Sequence, residues 1–165
     1  MGIPQGDLKL LDSDIARRLL NSNIPARIAY IAKDGTPRVV PTWFHWNGSE
    51  LVMATFSAGP HVRRPPSRPA ALRVNPAVAI TIDTNGFPPE VLQIRGQASV
   101  SEVDGIPEEF KKAARRYLGD EAAENYIAAM NEPGVAMARI IVRPSWVGIL
   151  DFETRLPGHV GGVVS

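Results

Sequence analysis

Two dipeptides, Asp34-Gly35 and Asn47-Gly48, restrict this chain more than any other feature. Each supplies the positive φ that a tight hairpin turn of the right hand requires. They separate three runs rich in β-branched and aromatic residues: Ala26 to Ala32, Arg38 to Trp46, and Glu50 to Phe56. Three such runs joined by two such turns form an antiparallel meander. Pro41 interrupts the middle run. Having no N–H, it demands a bulge or a sheet edge at that point, and bulges often sit beside active sites.

The rest of the chain continues the pattern. Ala77 to Asp83 reads as a fourth strand. In Val91 to Val103, Leu92, Ile94, Ala98 and Val100 share one face, and Gln93, Arg95, Gln97 and Ser99 share the other, the period-two signature of a half-buried strand. Val135 to Phe152 reads as one long strand or two consecutive ones, bent near Pro144. Helices flank these strands. The first is capped by Asp12 or Ser13 and carries Ile15, Leu19 and Leu20 as its apolar stripe. A short one is expected at Pro69 to Val74. Pro107 to Leu118 and Glu121 to Met130 follow, separated by Gly119.

These elements specify a mainly β fold: about six antiparallel strands with short peripheral helices. Because long open edges are a liability, such a sheet is expected to curl into a small barrel. The 165 residues suit one domain, with residues 1–11 and 156–165 expected to be loose tails. The sequence has no cysteine, which removes disulfides, thiolate metal sites and cysteine nucleophiles from consideration. A formal net charge of +1 argues against a nucleic-acid binder. No apolar run reaches the ~20 residues that span a bilayer, and Met1 to Lys9 lacks the layout of a signal peptide. The expectation is a cytoplasmic protein with no membrane partner, in which Asn47-Gly48-Ser49 is a turn rather than a glycosylation site.

No P-loop, dinucleotide fingerprint, HExxH or GxSxG is present. His45, His61 and His159 are too far apart in sequence to suggest a metal site. The chemistry concentrates after the third strand. Thr55 and Ser57 present hydroxyls at its end, and His61, Arg63, Arg64, Arg68 and Arg73 follow within a proline-rich stretch. Hydroxyls and guanidinium forks are what a phosphate group needs; a solvated basic loop is the other reading. In Pro41 to Trp46, alternation sends Trp43 and His45 to one face and Thr42, Phe44 and Trp46 to the other. A flat heteroaromatic ring could lie along this strand, or the aromatics could fill the core. Trp146 could cap a planar ligand or simply pack, and Gln93 and Arg95 could face a groove or solvent.

Three segments in order resemble a known family: DGTPRVVPTWFHWNGSELVMAT, then SAGPHVRR leading into LRVNPAVAITID, then VLQIRGQASV. This set is similar to the pyridoxamine 5′-phosphate oxidase-like superfamily of flavin-binding split barrels, including its branch that uses the deazaflavin coenzyme F-420. The similarity runs from about Ile15 to Asp151. It implies a six-stranded antiparallel split barrel, a homodimer with cofactor sites at the interface, and FMN or coenzyme F-420 as cofactor. It implies an oxidoreductase acting on a small-molecule redox substrate; a non-catalytic flavin or heme binder is an alternative. Val39, Val40, Pro41 and Thr42 would run beside the ring, and Thr55 and Ser57 would sit at the phosphate. His61 occupies a position where relatives often carry lysine. Arg63 would hold phosphate with Arg64 as helper, and Trp146 is a further candidate contact. The stretch Arg64 to Pro69 is longer than the corresponding link in many relatives. The substrate residues of the true oxidase are not recognisable, so that activity is not expected.

Overall fold

The computed structural model describes residues 2–151. Seven antiparallel strands form one sheet: β1 (Ala26–Ile31), β2 (Pro37–Thr42), β3 (His45–Trp46), β4 (Leu51–Ala58), β5 (Ala77–Asp83), β6 (Val91–Asp104) and β7 (Ala136–Leu150). Their order across the sheet is β2-β1-β5-β6-β7-β4-β3. Four α-helices flank it: α1 (Asp14–Leu20), α2 (Ser67–Val74), α3 (Glu108–Leu118) and α4 (Asp120–Met130). Among these described residues, no helix is long and apolar enough to cross a membrane.

The expected six strands become seven because the run from Arg38 to Trp46 divides. Phe44 turns into the core and is fully buried, which breaks the alternation at Trp43-Phe44. The chain thereby leaves one edge of the sheet at Thr42 and enters the other edge at His45. Seven strands laid flat would separate those edges by about 28 Å. Three residue steps span at most about 11 Å. The sheet must therefore curl until its edges nearly meet, with Trp43-Phe44 bridging the gap. It is not closed, since β2 and β3 are each paired on one side among the described residues. Pro41 falls on β2, an edge strand, where a missing N–H costs no ladder bond on the free side.

The concave side of the sheet holds the main core. Leu92, Ile94 and Ala98 of β6 face inward while Gln93, Arg95, Gln97 and Ser99 are exposed, as their alternation requires. They pack with Ile28, Phe44, Leu51, Ile82, Val142 and the α1 residues Leu19 and Leu20. The bend near Pro144 has a local cause. The β6–β7 register shifts between Arg95 and Gly96, opposite Trp146 and Pro144, leaving Ser145 as the extra residue of a bulge. Gly96 is required there, because a Cβ would collide with the Arg143 carbonyl.

A second, smaller core lies between the α3–α4 hairpin and the β4–β7 pair. It contains Ile106, Phe110, Ala114, Ala123, Ile127, Val135 and Met137. The helix hairpin turns at Gly119, whose φ of 83° suits glycine.

The N-terminal segment is docked, contrary to the expectation of a loose tail. The Gly6 N–H donates to the Val147 carbonyl at 2.7 Å. The Gln5 amide donates to the Ile149 carbonyl at 2.6 Å and accepts from the Ile149 N–H at 2.9 Å. A 3-10 turn over Leu8–Asp12 then buries Leu10 completely. Three hydrogen bonds to β7 and one core side chain fix this segment, a pairing that local sequence cannot signal. The other expected tail, 156–165, lies outside the described residues.

Candidate functional site

The gap between the curled sheet edges opens into a cavity of about 480 Å³, within the range of small-molecule sites. Its walls come from β2, β4, the crossing between the sheet edges and three helices. Pro41 and Thr42 end β2, Trp43 lies on the crossing, and Pro25 precedes β1. Ala54, Thr55 and Phe56 come from β4, Arg68 from α2, Phe110 from α3 and Tyr126 from α4.

The lining is aromatic on one side. The Trp43 ring lies 6.1 Å from Phe110 and 6.2 Å from Tyr126, the latter edge-on. Phe56 meets Phe110 edge-on at 5.7 Å. Such a set of ring faces and edges suits a flat, partly apolar ligand. Burial raises the Tyr126 phenol above its ordinary value, so at neutral pH its O–H remains a donor.

The polar side is sparse. The hydroxyls of Thr42 and Thr55 line the cavity, and among its lining residues Arg68 alone carries a charge. Burial lowers the Arg68 pKa, partly offset by nearby Tyr30, yet a guanidinium stays protonated at any physiological pH. Its Nε is buried with no hydrogen-bond partner, and among the described residues no carboxylate forms an ion pair with it. A buried cation without a counter-charge is costly unless an anion completes it.

Pro41, Thr42 and Thr55 thus line one cavity. The other candidates lie elsewhere. Val40 packs against the main core. Val39 is 64% exposed on the outer face of the sheet, where it borders a separate hollow with Ala29, Ala79 and Arg95. The Ser57 hydroxyl donates to Glu102 at 2.7 Å, and Arg73 donates to the same carboxylate at 2.7 Å. These two bonds hold the Glu102 carboxyl below its ordinary value, the Ser57 bond contributing most. Ser57 is therefore occupied within the protein rather than free for an anion. His61 is exposed and packs edge-on against Phe56 at 4.5 Å, touching the site through that ring. Arg63 and Arg64 are exposed and outside the cavity lining. Trp146 lies on β7, with the Arg95 guanidinium 4.2 Å from its ring and Gly6 against its edge.

In the sequence Arg68 stands in the same basic stretch as His61, Arg63, Arg64 and Arg73. A signal was present: Arg68, Ala71 and Leu72 stand at i, i+3 and i+4, and the last two are buried. That spacing puts Arg68 on the inward face of α2. Phe110 and Tyr126 carry no signal in the sequence beyond their place within two helices.

No protein-family model matches the sequence, and no curated protein sequence matches it. Solved structures do. An F420 reductase is 25% identical, with a TM-score of 0.57, over 79% of this chain and 93% of its own. A Clostridium acetobutylicum protein related to general stress protein 26, of the pyridoxinephosphate oxidase family, is 14% identical, with a TM-score of 0.53, over 88% and 90%. The heme storage protein HutZ from Vibrio cholerae is 16% identical, with a TM-score of 0.54, over 82% and 90%. The likeness that the ordered sequence segments carry is thus present in three dimensions: this chain has the fold of the pyridoxamine 5′-phosphate oxidase-like superfamily.

Proposed function

We propose that this protein is an oxidoreductase that binds a flavin-type cofactor, FMN or the deazaflavin coenzyme F-420, in the cavity at the sheet gap. One observation carries the reading. Arg68 is a partly buried cation with an orphaned Nε, set beside two threonine hydroxyls and a wall of aromatic rings. An anionic group joined to a flat ring satisfies both halves at once. The likeness to an F420 reductase at 25% identity favours the deazaflavin variant.

In this reading Arg68 and Thr55 hold the phosphate, and Arg63 and Arg64 add long-range attraction from the exposed loop. Pro41 and Thr42, at the end of β2, border the ring. Trp43, Phe56, Phe110 and Tyr126 exclude water around it. When bound, the cofactor supplies the hydride chemistry. The chain supplies binding, orientation and a dry surface, with the Tyr126 phenol as a neutral hydrogen-bond donor. The curled sheet acts as a split barrel, and the exposed outer face around Val39 serves as the homodimer contact.

The test is mass spectrometry of the ligand released from purified protein, followed by titration with FMN and coenzyme F-420. Recovery or tight binding of either supports the proposal. Recovery of heme with its Soret band, or no binding of either flavin-type cofactor, overturns it.

A further inference from the structure

We propose that Arg116 and Tyr117, consecutive residues near the end of α3, are positioning residues that set two walls of the cavity for a flat ring. The Arg116 guanidinium donates through Nη2 to the Phe44 carbonyl. It also covers the Phe44 ring, with Cζ 4.6 Å from the ring centroid. The Tyr117 hydroxyl donates to the Ile24 carbonyl at 3.1 Å, and its ring stacks on Trp43 at 5.3 Å and 9°. Arg116 Nη2 lies 3.3 Å from the Tyr117 hydroxyl, joining the two anchors.

The two carbonyls are informative by their place in the chain. Phe44 follows Trp43, and Ile24 precedes Pro25; both Trp43 and Pro25 line the cavity. One helix end therefore grips the backbone next to two separate wall residues. One of the two carbonyls, that of Phe44, lies on the crossing, whose residues belong to no strand. The grip is not the cheapest way to fill that space. Among the described residues no carboxylate forms an ion pair with Arg116, and its Nε is buried without a partner. An apolar side chain would avoid that desolvation. What the guanidinium adds is a fixed donor direction combined with a flat face against Phe44. Stacked on Tyr117, Trp43 is held in one orientation, which pre-organises the wall before a ligand arrives.

The ring's identity rests on the cofactor reading above; the two-point grip on the wall does not. The experiment uses the full chain carrying Arg116→Met, Arg116→Lys or Tyr117→Phe, titrated well below each melting temperature. The probes are FMN and riboflavin, or coenzyme F-420 and its ring fragment without phosphate. Arg116→Met is expected to weaken both members of a pair by about tenfold, leaving their affinity ratio unchanged, because the anion grip at Arg68 is untouched. Arg116→Lys is expected to recover part of the loss, since an ammonium can still donate to the Phe44 carbonyl. In parallel, acrylamide quenching of Trp43, taken as the difference from Trp43→Phe, should rise in Arg116→Met and in Tyr117→Phe. Wild-type ring affinity and unchanged Trp43 quenching in folded variants would overturn the proposal. So would a loss confined to the phosphate-bearing probe. If the wild type binds none of the probes, the cofactor reading fails and Trp43 quenching alone decides the grip. If Arg116→Met does not fold, the other two variants carry the same measurements.

Discussion

Replacing Arg68 by methionine should move stability and ligand affinity in opposite directions. The side chain keeps its length and loses its charge. In the ligand-free protein the wild-type guanidinium is partly buried, its Nε lacks a partner, and no carboxylate among the described residues pairs with it. Removing such a charge relieves a desolvation cost on the order of 1 kcal/mol, which in a domain of this size raises Tm by about 2–4 °C. Toward an anionic ligand the same change removes a charge-assisted hydrogen bond worth about 1.5–3 kcal/mol. That corresponds to roughly 10- to 150-fold weaker binding. Thermal denaturation without ligand and titration with FMN and coenzyme F-420 read the two effects separately. A residue serving only the fold would lower Tm when lost and leave affinity intact in the folded fraction. That result, or unchanged affinity at any Tm, would refute the anion site.

Three further outcomes follow from particular contacts. Thr55→Val should weaken cofactor binding by about 1 kcal/mol, read by the same titration; wild-type affinity removes Thr55 from the site. Gly96→Ala should destabilise the fold by about 1–3 kcal/mol in urea denaturation, because its Cβ meets the Arg143 backbone rather than a yielding side chain; a change under about 0.5 kcal/mol contradicts the bulge geometry. The Glu109 carboxyl is held below its ordinary value of 4.5, chiefly by its hydrogen bond from Arg139. A depressed carboxyl contributes stability that is present above about pH 4.5 and is lost as pH falls through the folded value. Glu109→Gln should therefore flatten the acid limb of a Tm-against-pH curve, and an unaltered limb would show that the pair is not coupled to folding.

The elements that were legible in the sequence are those specified by neighbours in the chain. Asp34-Gly35 and Asn47-Gly48 fixed two turns, and the alternation from Leu92 to Ser99 fixed which face of β6 is buried. Ser13 caps α1 as one of two anticipated residues. What the sequence concealed depends on distant partners. The division at Trp43-Phe44 happens because the sheet curls, and curling is a property of seven strands together. The docking of Gln5 and Gly6 depends on β7, at the other end of the described chain. At the cavity, Thr42 and Thr55 were legible as candidates because strands order their side chains strictly. Arg68 is one of four arginines in its stretch, and only its helical spacing with Ala71 and Leu72 sets its face apart from that of Arg73. The Ser57–Glu102 bond was not legible because Glu102 lies on a strand far from Ser57 in sequence.

The strand order also sets a timetable for biosynthesis. β4, which carries Thr55 and Phe56, pairs along its length with β7. At about 5–20 residues per second, a ribosome needs on the order of five to fifteen seconds to make the intervening polypeptide. Through that interval the apolar stretch Leu51-Val52-Met53 has no β7 to cover it, and the binding site lacks its scaffold. The cavity wall that β4 provides is therefore supported only once β7 has been made, late in the synthesis of the described residues.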